Sequence, residues 1–264
     1  MRSLPCLLVA ALFLTGAHIG YARDHAEADR PALDPILTIR QLMEKADSVV
    51  QARATNPRKA EKGWRVDFVV EEITKPHKAV KTNLTLKSDM LILPAFDPKA
   101  PGNFLVMVQV FNGKLSSFHG IETTPRLAEY AKKILKHRAK DSREWLRFYV
   151  DHLHDADRLV REDAQAEFSR AEEADQAEFA KKLPAEKIRA LMNDPMTEPT
   201  EWQFLIYLLS FCGQAADADA ILKTVNKNAD SAKWETARRN AIAALIVLNP
   251  DKYAPKYRAL NHRA

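Results

Sequence analysis

The chain has 264 residues, 46% of them hydrophobic and 28% charged, which excludes wholesale disorder and fits a soluble globular protein of one large or two ordinary domains. The formal net charge is +5, and one of those charges, Arg2, lies in the N-terminal leader, so the processed chain carries +4 among mixed acids and bases, too little to imply nucleic acid. Of the two cysteines, Cys6 falls in the leader and leaves Cys212 alone, which excludes an internal disulfide after processing.

Arg2 supplies a positive start, residues 4–14 a short apolar run, and Gly20 and Ala22 the small residues of a cleavage position. The run is interrupted at Pro5, Thr15, Gly16 and His18 and is shorter than the ~20 residues of a spanning helix. Residues 1–22 are therefore expected to be a signal peptide cleaved after Ala22. The mature protein is expected to be secreted or periplasmic, with no transmembrane segment. Residues 23–45 predict a flexible, proline-bearing lead-in and a short helix, with Ile36, Ile39, Leu42 and Met43 at helical spacing.

From Ala46 the period changes to that of strands. Residues 48–55 and 64–74 are rich in Val and aromatic residues, and residues 56–63, with Asn56, Pro57 and Gly63, predict a long charged hairpin loop between them. Further strands are predicted at 83–87, 90–93, 103–111 and 115–119, with Asn112-Gly113 as a type I′ turn before the last. Six short strands over residues 46–124 predict a small barrel or sandwich.

After Thr124 the apolar spacing is helical to the end. Pro125 stands at a first helical position, followed by Leu127, Tyr130, Ala131, Ile134 and Leu135. Trp202, Leu205, Ile206, Leu208 and Leu209 mark the most apolar helix, with Gly213 at its end. The helix at 237–248 is stopped by Asn249-Pro250. Short amphipathic helices joined by short links predict helical hairpins stacked side by side over residues 125–264.

Two resemblances follow from particular residues. Ala46-Asp47-Ser48-Val49-Val50-Gln51-Ala52-Arg53, Trp64-Arg65-Val66-Asp67-Phe68-Val69-Val70-Glu71-Glu72-Ile73 and Asn103-Phe104-Leu105-Val106-Met107-Val108 together resemble the OB-like barrel of netrin-type modules in exported bacterial proteins. His154-Asp155-Ala156-Asp157, leading into Val160-Arg161-Glu162-Asp163-Ala164-Gln165-Ala166-Glu167-Phe168, is similar to HEAT-like repeats. The resemblances imply an α+β protein, a small N-terminal OB-like or netrin-like β module followed by an all-α HEAT-like helical-hairpin array. They also imply a surface for holding partners. Netrin-type metalloproteinase inhibitors begin with a cysteine that reaches the target metal, and no such cysteine survives here.

The chemistry-bearing clusters are few. His152, His154 and Asp155, within residues 151–157, are of metal-ligating type, but on a helix the two histidines point about 200° apart and converge only if the helix ends between them. A polar helix end, with the acids capping the next helix, is the favoured reading, and an exported hydrolase or metal-dependent enzyme using residues 151–157 is the alternative. Cys212 follows Leu208, Leu209 and Phe211, the setting of a buried, unreactive thiol. The acids of residues 161–178 predict a solvated helical face balanced by Arg158, Arg161 and Arg170. Lys132, Lys133, Lys136, Arg138 and Lys140 form a basic run suited to an acidic partner, polysaccharide or membrane. Trp64 or Phe104 beside Arg53 and Arg65 would suit a glycan or small-ligand site on the β module. No cofactor is expected, and the partner implied is another envelope or extracellular protein held by the helical array.

Overall fold

The computed structural model describes residues 37–261, apart from 62, 89, 90, 93–96, 98, 100, 101, 138 and 229. The expected leader and most of the lead-in lie outside the described residues. The fold is mixed α+β, and the chain divides into two compact units between Arg138 and Ala139. No helix among the described residues is long and apolar enough to cross a membrane.

In the first unit, helix α1 (Ile39–Lys45) precedes strands β1 (Ser48–Ala60), β2 (Gly63–Lys75), β3 (Thr85–Leu86), β4 (Leu91–Ile92), β5 (Asn103–Phe111) and β6 (Lys114–Glu122), then helix α2 (Pro125–Lys136). Thr38 caps α1 through a reciprocal box with Gln41. Thr124 caps α2 by accepting from Leu127 N at 3.0 Å, with Pro125 in the first turn, where its missing N–H costs nothing.

The strands form an antiparallel sheet in the order β3-β2-β1-β5-β6, with β4 also paired to β2. The sheet is open: no ladder among the described residues joins β6 back to β3 or β4, and the Ser117 Oγ to Ser88 Oγ hydrogen bond of 2.9 Å reaches across that gap. The expected barrel is thus a curled sheet rather than a closed one. One face buries Val50, Ala52, Ala54, Val66, Phe68, Val70, Phe104, Val106 and Val108 in a single cluster, with Phe68 and Phe104 edge to face at 5.5 Å. The opposite face buries Val49, Leu105 and Met107. Lys132 on α2 pairs with Glu72 at 2.8 Å, and Lys75 Nζ donates to Met43 O at 2.9 Å at the C-terminal end of α1. Glu72 lies opposite Gln51 and Gln51 opposite Leu105, so these contacts set both helices over that second face.

Two expectations change here. The loop predicted at residues 56–63 is mostly strand: Arg58 pairs with Arg65, Lys59 with Trp64 and Ala60 with Gly63. Asn56 adopts φ +49° at a register shift, so the bulge takes up Pro57, which has no ladder proton to give, and pairing resumes beyond it. Secondly, α2 packs with the β unit, because the division falls after Arg138. The turn at Asn112 (φ +49°) and Gly113 (φ +74°) has the positive dihedrals of type I′.

The second unit is helical: α3 (Ser142–Val150), α4 (Arg158–Phe168), α5 (Glu173–Ala180), α6 (Ala185–Met192), α7 (Pro199–Cys212), α8 (Ala215–Lys227), a 3-10 turn (Ala232–Trp234), α9 (Glu235–Leu248) and α10 (Pro250–Asn261). Helix α7 buries Trp202, Phe204, Leu205, Ile206, Tyr207, Leu208 and Leu209, covering almost its whole circumference. Each such side chain stabilises the unit by about 1.5–3 kcal/mol. It packs against α5, α6 and α9, while α3 packs against α4 and α5, and α9 against α8 and α10.

Alternate helices therefore lie side by side. Arg143 on α3 pairs with Asp175 (3.3 Å) and Glu178 on α5, and Asn240 on α9 donates to Gln203 on α7 at 3.2 Å. In the other row, Arg189 on α6 grips Asp217 on α8 through two bonds of 2.6 and 2.9 Å, and Lys252 on α10 reaches Asp219 on α8 at 2.6 Å.

Gly213 ends α7 in an extended conformation with φ −82°, so its need is for space. A Cβ there would lie 2.5 Å from Leu209 O and 2.9 Å from Asp217 Oδ2. Gly213→Ala is expected to lower stability by about 1–3 kcal/mol, read as a shifted urea midpoint at unchanged slope. An unmoved midpoint would contradict the tight α7–α8 joint.

Candidate functional site

Helix α3 ends at Val150, and residues 151–154 form turns, so the histidines do lie beyond the helix end. They still do not converge. His152 is buried, its ring 5.1 Å from that of Phe148 and its Nδ1 3.3 Å from Asp155 Oδ2. His154 turns to Lys187 on α6, whose Nζ donates to His154 Nε2 across 3.0 Å. Burial first, and then the Lys187 charge, push His154 below its ordinary pKa. The His154 Nε2 accepts a hydrogen bond from the Lys187 ammonium, and its Nδ1 is buried with no hydrogen-bond partner among the described residues. The described residues hold no group of three or more His, Cys, Asp or Glu side chains placed to share an ion.

Asp155 is occupied as well: its Oδ1 accepts from Asp157 N at 3.0 Å, while Asp157 Oδ1 caps α4 by accepting from Leu159 N (2.9 Å) and Val160 N (3.3 Å). The turn is locked from the other side by Arg161. Its Nη1 donates to Asp155 O (2.8 Å) and Ala156 O (3.3 Å), and its Nε to Glu201 Oε1 on α7 (2.7 Å). Both side chains of this pair are under a tenth exposed, and Glu201 Oε2 is buried with no hydrogen-bond partner among the described residues. The solvated face expected over residues 161–178 is corrected to that extent: Arg161, Asp163 and Glu167 are buried, and Arg161 answers a carboxylate forty positions away. The Arg158–Glu162 pair, at 2.6 Å, keeps to the expected surface pattern, as does the exposed Glu178, paired with Lys182 at 3.0 Å.

The Cys212 thiol is half-buried, donates to Leu208 O at 3.4 Å, and is pushed by burial up to about 11, which leaves it protonated and a poor nucleophile at neutral pH.

The basic run is divided between the units. Lys132, Lys133 and Lys136 lie on α2 in the β unit, Arg138 lies outside the described residues, and Lys140 belongs to the helical unit. Lys132 is held by Glu72 and Glu129, which raise its pKa, whereas Lys133 and Lys136 are exposed one turn apart.

On the β unit, Phe104 is buried in the core and Trp64 is half-buried against it, so neither ring offers a stacking platform. Arg53 pairs with Glu71 at 3.1 Å. A different cluster forms instead around Asp67, whose carboxylate is 1% exposed. Oδ1 accepts from Arg58 Nη2 (2.9 Å) and Ser88 N (3.4 Å), and Oδ2 from Asn56 Nδ2 (3.0 Å) and Lys87 Nζ (2.9 Å). The Arg58 guanidinium, helped by Asn56, Lys87 and Ser88 against the cost of burial, holds the carboxyl far below the usual range. Sequence offered one signal for it, an acid at the outward position between Val66 and Phe68.

Comparison with known proteins returned no matching family profile, no curated protein and no solved structure.

Proposed function

We propose that this protein is a noncatalytic scaffold of the cell envelope or exterior, in which a HEAT-like helical array holds another protein and a netrin-like β module is attached to it. The observation that supports this reading is the packing of the helical unit in two rows of alternate helices, tied by Arg143 to α5 and by Arg189 to α8. Such a stack buries its core between sequential neighbours and leaves a broad, regular outer face for a large partner. The side chains best suited to chemistry are meanwhile engaged in holding the fold: His154 accepts from Lys187, Asp155 from Asp157, and the Cys212 thiol stays protonated.

Amine-reactive cross-linking of the full chain in an envelope extract tests the proposal. A protein joined through exposed Lys181, Lys223 and Lys227 of the helical unit is the expected result. Recovery of no protein, or cross-links confined to lysines of the β unit, would overturn it. So would stoichiometric zinc in the purified protein that disappears when His152 and His154 are both changed to alanine.

A further inference from the structure

We infer that His154 and Lys187 form an acid-sensitive latch, which holds the first turn of α6 against the turn between α3 and α4 at neutral pH and releases it when the imidazole takes a second proton. The argument starts from hydrogen-bond direction. A lysine ammonium only donates, so the 3.0 Å contact from Lys187 Nζ requires His154 Nε2 to be the acceptor. The neutral ring therefore carries its proton on Nδ1, which is buried and has no hydrogen-bond partner among the described residues. Nε2 alone is left to take another. Once it does, the acceptor has become a donor and two cations stand face to face, so the bond is lost.

The surrounding charges do not rescue it. From α6 the ring meets Lys187, and from its own turn Asp151, Asp155 and His152. Burial and then the Lys187 charge hold the ring below its ordinary pKa, and they outweigh the two carboxylates. Other charged groups nearby are engaged elsewhere: on α4, Arg158 pairs with Glu162 and Arg161 with Glu201, and on α6, Arg189 grips Asp217. Glu186 of α6 acts on Arg189 and Cys212. Among the described residues the Lys187 ammonium makes no hydrogen bond or ion pair besides the one to His154.

The end of α6 that Lys187 occupies is the one with least to hold it. Pro184 stands at the N-cap and gives no side-chain hydrogen bond, so the first turn of this eight-residue helix lacks the usual closure. Farther along, Ile188 is fully buried and Arg189 ties the helix to α8. Release at His154 thus frees the first turn while the rest stays anchored. The sign with pH follows: unfolded, the ring protonates near about 6.5, and folded only at lower pH. The latch is complete above that range and is lost as the pH falls through it.

The test uses the full chain. Nitrogen NMR of histidine-labelled protein, with the His154 signals identified by their loss in His154→Gln, is expected to show a proton on Nδ1 and none on Nε2 at neutral pH. Lys187→Met keeps the apolar stem and removes the cation, so its ring should titrate at higher pH than in the wild type. Hydrogen exchange of amides 187–190, corrected for the chemical rate at each pH, should rise by about three- to tenfold in the wild type between about pH 7 and about pH 5.5, since one linked proton changes the open population by up to about tenfold per pH unit. In Lys187→Met that rise should disappear. Thermal melts verify that both variants fold, and Asp67, in the other unit, titrates far below this window. A proton on Nε2 at neutral pH, an unchanged titration in Lys187→Met, no rise in the wild type, or an equal rise in both proteins overturns the inference.

Discussion

Arg161→Ala is expected to destabilise the helical unit by about 3–5 kcal/mol, the largest loss from any single substitution considered for this protein. The side chain spans the turn at Asp155 and Ala156 and the first turn of α7, and its removal strands the Glu201 carboxylate in the interior. Oε2 of Glu201 already lacks a partner, so the loss of Arg161 leaves neither oxygen hydrogen-bonded by a side chain. The position of Glu201 near the N-terminus of α7 offsets only part of that penalty. Glu201→Leu combined with Arg161→Met removes both charges together. The pair should recover most of the stability, because a buried ion pair is replaceable by packed apolar side chains. Urea unfolding of the two single variants and the double variant gives the coupling directly. Single losses below about 1 kcal/mol would mean that the pair is solvated.

Asp67→Asn is expected to cost the β unit about 2–3 kcal/mol at neutral pH, less than a fully enclosed pair because Arg58 and Lys87 are themselves exposed and regain water. The effect depends on pH with a definite sign. In the unfolded chain the carboxyl takes up its proton near the ordinary value of about 3.9, whereas in the folded chain it resists until much lower pH. Its contribution is therefore complete above about pH 5 and declines as the pH falls through 4 and below. Wild-type and Asp67→Asn stabilities should converge on acidification. Parallel curves from pH 7 to pH 3 would show that the carboxylate is not held by its cations.

The features legible in the sequence are those fixed within a few residues. Asn112-Gly113 set its own turn, Thr124-Pro125 started a helix, and the Val-rich run at residues 103–111 coincides with β5. What escaped depends on partners far along the chain. Asn56-Pro57 read as loop because the bulge that absorbs a proline is visible only once β2 lies alongside. Pro250 ends α9, as the sequence predicts, and also opens α10, with Asn249 Oδ1 accepting from Lys252 N at 3.3 Å, since proline in a first turn is as much a start as a stop. Arg161 belongs to a polar, acidic stretch whose pattern is that of a solvated face, because nothing local announces Glu201. The net charge hides an uneven split, a formal +8 over residues 37–138 and −2 over residues 139–264, which separates only when the chain is divided where the units divide.

Hydrogen exchange of the full chain, with and without the protein recovered by cross-linking, tests most directly whether the stacked helices are the docking element. Binding is expected to slow exchange in helices α6 and α8 while that of β1 and β2 is unchanged. Protection restricted to the β unit, with α6 and α8 unaffected, would contradict it.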